Sequence, residues 1–133
     1  MLSKTSKLVV NALVELAKLP AGSYEGASSI AKKIEAPKNY LGKLLQNLCA
    51  RNVVSSQKGT GGGFRLSMKP DRITLFDIVE PIENVAIWEK CALGLEECSE
   101  TDPCPVHDHW KVIKEGYLSF LKTTTVADLI KEP

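Results

Sequence analysis

Apolar residues recur at intervals of three and four along residues 6–19. Val9, Ala12, Leu13, Leu16 and Ala17 share one face of a predicted helix that Pro20-Ala21-Gly22 ends. Ser28 and Ser29 offer capping hydroxyls for a short second helix, Ile30 to Ile34, and Glu35-Ala36-Pro37 breaks it. A third helix is predicted from Lys38 to about Arg51, with Leu41, Leu44, Leu45 and Leu48 as its buried stripe. A short helix, a brief turn and a longer second helix outline a helix-turn-helix.

The period then changes. Val53–Gln57 and Phe64–Leu66 read as short strands, and the glycine-rich run Lys58–Gly63 between them suits a turn and no helix. A hairpin directly after a helix-turn-helix is a wing. A phosphate-binding loop is disfavoured, because it needs Lys-Ser/Thr and a helix after its last glycine, and Phe64 with a strand follows here. Thr74 is placed to cap a helix through about Ile82, with Asp77 three residues on, an apolar face of Leu75, Ile78, Val79 and Ile82, and Pro81 fraying its end. Residues 84–105 hold no sustained period. The pattern returns over Val106–Lys122, where Val106, Trp110, Ile113, Tyr117 and Leu121 line one face of a helix about 25 Å long, enough to pack against a partner. A last short helix is predicted at Val126–Ile130, capped by Thr125.

The expected fold is therefore mainly α with a small β-hairpin. A winged helix-turn-helix region covers residues 1–83, a loop covers 84–105, and a long helix with a short terminal one covers 106–133. The chain has 133 residues, 44% of them hydrophobic, which bounds it to one core with an appended element. No stretch approaches the roughly 18 apolar residues that span a bilayer. The first residues lead into an amphipathic pattern, so a cytoplasmic protein with no membrane partner is expected.

Net charge is +1, but residues 1–72 carry a balance of +8 and residues 73–133 a balance of −7. A basic winged half suits a polyanion. In a helix-turn-helix the early turns of the second helix reach base edges, which nominates Asn39, Tyr40 and Lys43. Asn reads adenine and Lys reaches guanine acceptors. Lys58 at the wing entrance, with glycines such as Gly61 allowing close backbone approach, suits a narrow minor groove, and Ser28 suits a phosphate. The expected partner is double-stranded DNA.

Cys91, Cys98, Cys104 and His107 fall within one short segment, with six, five and two residues between successive members. In a reducing compartment, grouped cysteines bind metal more often than they pair. Zinc accepts Cys₃His, usually with closer pairs. Iron–sulfur clusters are held mainly by thiolates with occasional imidazole, and the wide gaps favour a loop wrapped round something larger than one ion. Glu100 and Asp102 are possible oxygen ligands, His109 is misplaced by one residue, and Cys49 lies apart in the third helix. An electron-transfer protein would need no basic wing, and no acid–base pair suggests an enzyme.

The motifs Asn39-Tyr40-Leu41, Ser55 to Phe64, Ile73 to Ile78, Cys104-Pro105-Val106-His107 and Thr125 to Leu129 resemble the IscR/NsrR-type winged-helix transcriptional regulators over nearly the whole chain. The resemblance implies a homodimer joined through the Val106–Lys122 helix, a partly palindromic operator, and a cluster held by Cys91, Cys98 and Cys104. Members like the biogenesis regulator add a histidine at the place of His107 and carry [2Fe–2S]. Members like the nitric-oxide sensor use an aspartate where Lys7 stands here and carry [4Fe–4S]. The resemblance thus favours His107 and [2Fe–2S]. Gly42 and Lys43 replace an acidic residue and a glutamine of the biogenesis regulator, so its operator does not carry over, and the first cysteine gap is one residue longer.

Overall fold

The structure is a computed structural model and describes residues 2–85, 90–96 and 98–130. Residues 86–89 and 97, inside the expected cysteine loop, lie outside that description. Six α-helices and one hairpin are seen among the described residues: α1 (Lys4–Ala17), α2 (Ala27–Ile34), α3 (Lys38–Ala50), β1 (Val54–Gln57), β2 (Gly63–Leu66), α4 (Leu75–Glu83), α5 (His107–Thr123) and α6 (Val126–Ile130). A 3₁₀ turn at Pro70–Arg72 precedes α4.

The expected mainly helical fold with a hairpin is what forms. The stripes of α1 and α3 pack together: Val9, Ala12, Leu13, Leu41 and Leu45 are completely buried. Ile30 from α2, Ile73, Ile78 and Val126 complete this core, and Phe64 closes it from the wing. Strands β1 and β2 pair antiparallel from Val54↔Leu66 to Gln57↔Gly63. Glu25 adds a further bridge to Phe64, donating its amide at 2.9 Å and accepting the Phe64 amide at 2.8 Å. The segment before α2 is thereby stitched to the wing.

One boundary differs from expectation. Gly26, not a serine, is the N-cap of α2, so Ser28 and Ser29 sit inside its first turn. Ser29 instead donates its hydroxyl to Glu25 Oε1 at 2.9 Å. Helix α4 ends at Glu83, one residue past the expected end, with Pro81 inside its last turn. Asn84 terminates the helix in the left-handed region, and Thr74 with Asp77 forms the full capping box at its start.

A second, smaller core joins α4 to the last turns of α5 through Leu75, Val79, Val85 and Leu121, with Tyr117 and Leu118 against them. Ile113, on the face expected to pack against a partner, is 59% exposed, and Val112 at 73% and Phe120 at 48% are exposed beside it. The C-terminal half of α5 is anchored and an apolar face of it stays outside. The chain then returns: Val126 N–H donates to Ile73 O at 2.8 Å, and α6 packs on α1.

Glu83, at the end of α4, caps α1 from outside. Its carboxylate accepts the Ser3 amide at 3.0 Å and the hydroxyl of fully buried Ser6. Desolvation pushes its pKa up, but the bonds from Ser6 and Ser3 outweigh it and hold the group below its ordinary value. A depressed folded pKa means stabilisation that is complete above the ordinary carboxylate range and is lost as pH falls below it. Glu83→Gln is expected to cost about 1–3 kcal/mol at neutral pH, as for hydrogen bonds to a charged group. Urea titrations should show that deficit closing as pH falls below about 4, where the wild-type carboxylate protonates too. A pH-independent deficit would contradict the assignment.

Candidate nucleic-acid interface and metal centre

Helix α3 presents Asn39, Lys43 and Gln46 to solvent, spaced at four and three residues so that they share one face. An open groove of about 580 Å³ runs along it, lined by Lys38, Asn39, Lys43, Gln46 and Phe64, with Ala27 and Gly42 at its floor. A Cβ added at Gly42 would lie 3.9 Å from Ala27 Cβ, an ordinary van der Waals contact, so an alanine would fit between α2 and α3. Gln46 escaped the reading of the sequence, although its spacing from Lys43 and Asn39 was the available signal. Tyr40 is 44% exposed and its hydroxyl is 2.7 Å from Thr5 Oγ1, so it ties α3 to α1 as well as facing outward. Ser28 is exposed in the first turn of α2.

The wing contributes Phe64 to the same groove. Lys58 and Gly61 are exposed at its tip, with Gly59 at φ 92° and Gly61 at φ 79°. Gly62 donates back to Gly59 O at 3.0 Å. Arg65, by contrast, lies 4.6 Å from the centre of the Tyr24 ring at the base of the wing.

The cysteine loop folds onto the start of α5. The sulfurs of Cys91, Cys98 and Cys104 all lie within 4.8 Å of one another, and Cys91 Sγ is 3.5 Å from Cys104 Sγ. His107, the first residue of α5, places Nδ1 at 3.3 Å from Cys98 Sγ. These four residues line one small cavity of about 30 Å³ with Trp110 and Lys114. Trp110 Nε1 donates to Lys90 O at 2.9 Å and pins the start of the loop to the helix. Cys49 stays in α3, packed beside the main core.

The thiols differ electrically. Amides of Leu95 and Leu93 directed at Cys91 Sγ, with a smaller contribution from the neighbouring thiols, pull its pKa down to about 7. The Cys104 amide, 3.4 Å from Cys98 Sγ, favours a Cys98 thiolate, but desolvation and the adjacent Cys104 and Cys91 sulfurs win and push that thiol up. A bound cation would favour every one of these thiolates and release their protons. Soft donors that converge, backbone amides aimed at sulfur and a position at a helix N-terminus suit either a metal ion or an iron–sulfur cluster. Glu100 Oε1 lies 3.6 Å from His107 Nε2 and 2.8 Å from Lys111 Nζ, and neither Glu100 nor Asp102 joins the three sulfurs as a compact donor group among the described residues.

Residues 2–132 match the Rrf2 family, described as iron-dependent transcriptional regulators. The chain belongs to the Rrf2 family. Its relatives include a helix-turn-helix-type transcriptional regulator of Aquifex aeolicus, 42% identical over 103 residues, covering 76% of this chain and 72% of the other. The regulator IscR of Xenorhabdus nematophila is 27% identical over 133 residues, 98% of this chain and 79% of that one. Among solved structures, CymR, the global cysteine regulator of B. subtilis, superposes with a TM-score of 0.79 at 26% identity, covering 98% of this chain and 95% of that one. The T. potens IscR structure gives a TM-score of 0.74 at 24% identity over 98% and 85% of the two chains, a likeness of fold. This Rrf2 chain is thus a transcriptional regulator of a DNA-binding family, not an enzyme. None of its described helices is long and apolar enough to cross a membrane.

Proposed function

We propose that this Rrf2 regulator works in the cytoplasm as a homodimer, represses transcription from a partly palindromic operator, and reads iron–sulfur status, redox state or nitric oxide through a cluster held by Cys91, Cys98, Cys104 and His107. The observation that carries the reading is the convergence of three thiols, with His107 Nδ1 3.3 Å from the Cys98 sulfur, at the N-terminus of the helix whose apolar face, Val112, Ile113 and Phe120, is left uncovered. A second copy of α5 would cover that face, and two winged units would then face successive half-sites. Lys7, exposed on α1, cannot replace an aspartate ligand, which favours His107 and [2Fe–2S] over [4Fe–4S].

When bound, the cluster would supply one-electron chemistry with a potential set by the hydrogen bonds to its sulfurs. The chain's own part is mechanical. Four ligands from one loop and one helix end fix residues 91–104 against α5, and so fix the angle between the dimer helix and the wings. Releasing those ligands frees the loop and alters the spacing of the two recognition helices. Asn39, Lys43 and Gln46 would read bases, while Lys58, Gly61 and Ser28 would meet backbone phosphates and the minor groove, with Tyr40 at the edge of α3.

A second reading has an observation of its own. Two thiolates on one tetrahedral ion, each about 2.3 Å from it, lie about 3.8 Å apart. The 3.5 Å between Cys91 and Cys104 is near that spacing, which one tetrahedral iron would impose as well, but all three sulfurs lie within 4.8 Å of one another, close enough to share a single zinc ion. Anaerobic purification, an absorption spectrum and iron and sulfide assays separate the two, because zinc leaves the protein colourless. The same preparation should bind a duplex selected from random sequence, with affinity that changes on removal of the cluster. Lys43→Ala should weaken that duplex by about 1–3 kcal/mol and relax one base position. Lys58→Ala should weaken all duplexes alike and flatten the salt dependence. Identical affinities with and without cluster would refute the sensing role.

A further inference from the structure

We infer that Glu100 and Lys111 form a positioning pair behind His107, holding its ring so that Nδ1 is the metal-facing nitrogen. The inference rests on the reading above only in taking His107 as a ligand, and it is indifferent to whether the occupant is a cluster or an ion.

His107 is 11% exposed at its side chain, and its Nε2 is buried without a hydrogen bond. A buried ring nitrogen in that state calls for a partner. Glu100 Oε1 lies 3.6 Å from it. That oxygen is already held at 2.8 Å by Lys111 Nζ, one helical turn beyond His107 on α5. Glu100 is not loosely placed at its backbone: Asp102 N–H donates to Ser99 Oγ at 3.1 Å and Ser99 N–H to Asp102 O at 3.2 Å, closing a tight turn around it.

The two faces of the ring are therefore assigned. Nδ1 looks at Cys98 Sγ, 3.3 Å away, and Nε2 looks at a carboxylate. Metal-bound histidines almost always donate their second N–H to such a group, which fixes the tautomer and makes the ligating nitrogen more basic. Here the distance must close by about half an ångström to reach hydrogen-bond range. Drawing the imidazole toward an occupant or releasing it moves Nε2 relative to Glu100. Because Lys111 sits on α5, the pair also carries the state of the fourth ligand to the helix beside Val112 and Ile113. Glu100 is a positioning residue, acting through His107 and not on the metal.

The test is a double-mutant cycle read with Co(II) on the full chain, stripped by chelation under anaerobic reducing conditions. Thiolate-to-cobalt absorption and tetrahedral ligand-field bands report binding independently of any operator. Glu100→Ala is expected to weaken Co(II) about 10–100-fold, the usual effect of losing such a partner. Glu100→Gln, whose amide oxygen still accepts the N–H, should recover most of that loss. In a His107→Ala background, Glu100→Ala should add less than about twofold, since coupled residues are not additive. An equal loss in both backgrounds would show that Glu100 ligates directly or only braces the loop, and would overturn the proposal. So would an unchanged affinity in Glu100→Ala, or a wild-type chain that forms no tetrahedral thiolate–cobalt site. A cycle that holds in a chain that takes up no iron and sulfide on reconstitution sinks the iron–sulfur reading and supports the positioning pair.

Discussion

Gly63→Ala is expected to cost about 3–5 kcal/mol and to lower the melting temperature by roughly 10–20 °C. Gly63 has φ 134°, and a Cβ there would lie 2.3 Å from Glu25 O, 2.4 Å from its carbonyl carbon and 2.6 Å from Gly26 N. All three obstacles are backbone, so no side chain can swing aside. Relief requires the segment before α2 to leave β2, which breaks both Glu25–Phe64 hydrogen bonds. Two such bonds are worth about 1 kcal/mol each and a forced backbone conformation adds about 1–3 kcal/mol. The displaced strand carries Phe64, only 6% exposed, so the core opens as well. Gly61→Ala is the control. It too has a positive φ, 79°, but nothing lies within 4 Å of the added Cβ, so it should cost only about 1–2 kcal/mol for the left-handed conformation. Thermal and denaturant unfolding of both variants decide the matter. Equal stabilities would mean that contact with Glu25 contributes nothing. Operator affinity should fall further in Gly63→Ala than in Gly61→Ala, because only the former tilts the whole wing.

The helices and the hairpin were legible because burial is periodic and the winged unit buries its stripes within one chain. Leu13, Leu41 and Leu45 lie where their spacing puts them, completely buried. On α5, expected to pack against a partner, the same rule does not say which of two apolar faces meets its own chain. Tyr117, Leu118 and Leu121 take the face toward α4, while Val112, Ile113 and Phe120 are left outside. Periodicity reports that a residue wants burial and not which surface supplies it. The start of α2 was misread because Ser28 and Ser29 are good capping residues in isolation, whereas the hydroxyl of Ser29 goes to Glu25. Glu25 itself carried no signal; its 7% exposure follows from the backbone bridge to Phe64 and from Lys33 Nζ at 2.8 Å, both tertiary. The grouping of Cys91, Cys98 and Cys104 was legible for a chemical reason, since thiols gathered in one loop ahead of a helix suit a shared cation. Its direction was not. Whether Glu100 turned to the sulfurs or to the histidine depends on the Ser99–Asp102 turn, which spacing alone does not reveal.

Cys98→Ala should abolish visible absorption from the anaerobically purified protein and reduce its iron and sulfide to background. Cys98 is the middle of the donor set: its sulfur accepts the Cys104 amide at 3.4 Å, meets His107 Nδ1 at 3.3 Å, and lies within 4.8 Å of both other sulfurs. Alanine leaves two thiols and an imidazole, with no thiolate for the Cys104 amide to stabilise. Operator affinity should then equal that of chelator-stripped wild type, whichever direction the cluster drives it. Misfolding is a weak rival explanation, because Cys98 belongs to neither hydrophobic cluster. The unfolding midpoint of metal-free Cys98→Ala should match that of metal-free wild type. Cys49→Ala supplies the opposite control. That thiol packs beside the main core, so its loss should cost about 1 kcal/mol of stability while leaving the spectrum intact. Normal colour and normal regulation in Cys98→Ala would refute a cluster on this site. A colourless wild type holding one zinc per chain, lost on the same substitution, would establish the single-ion reading in its place.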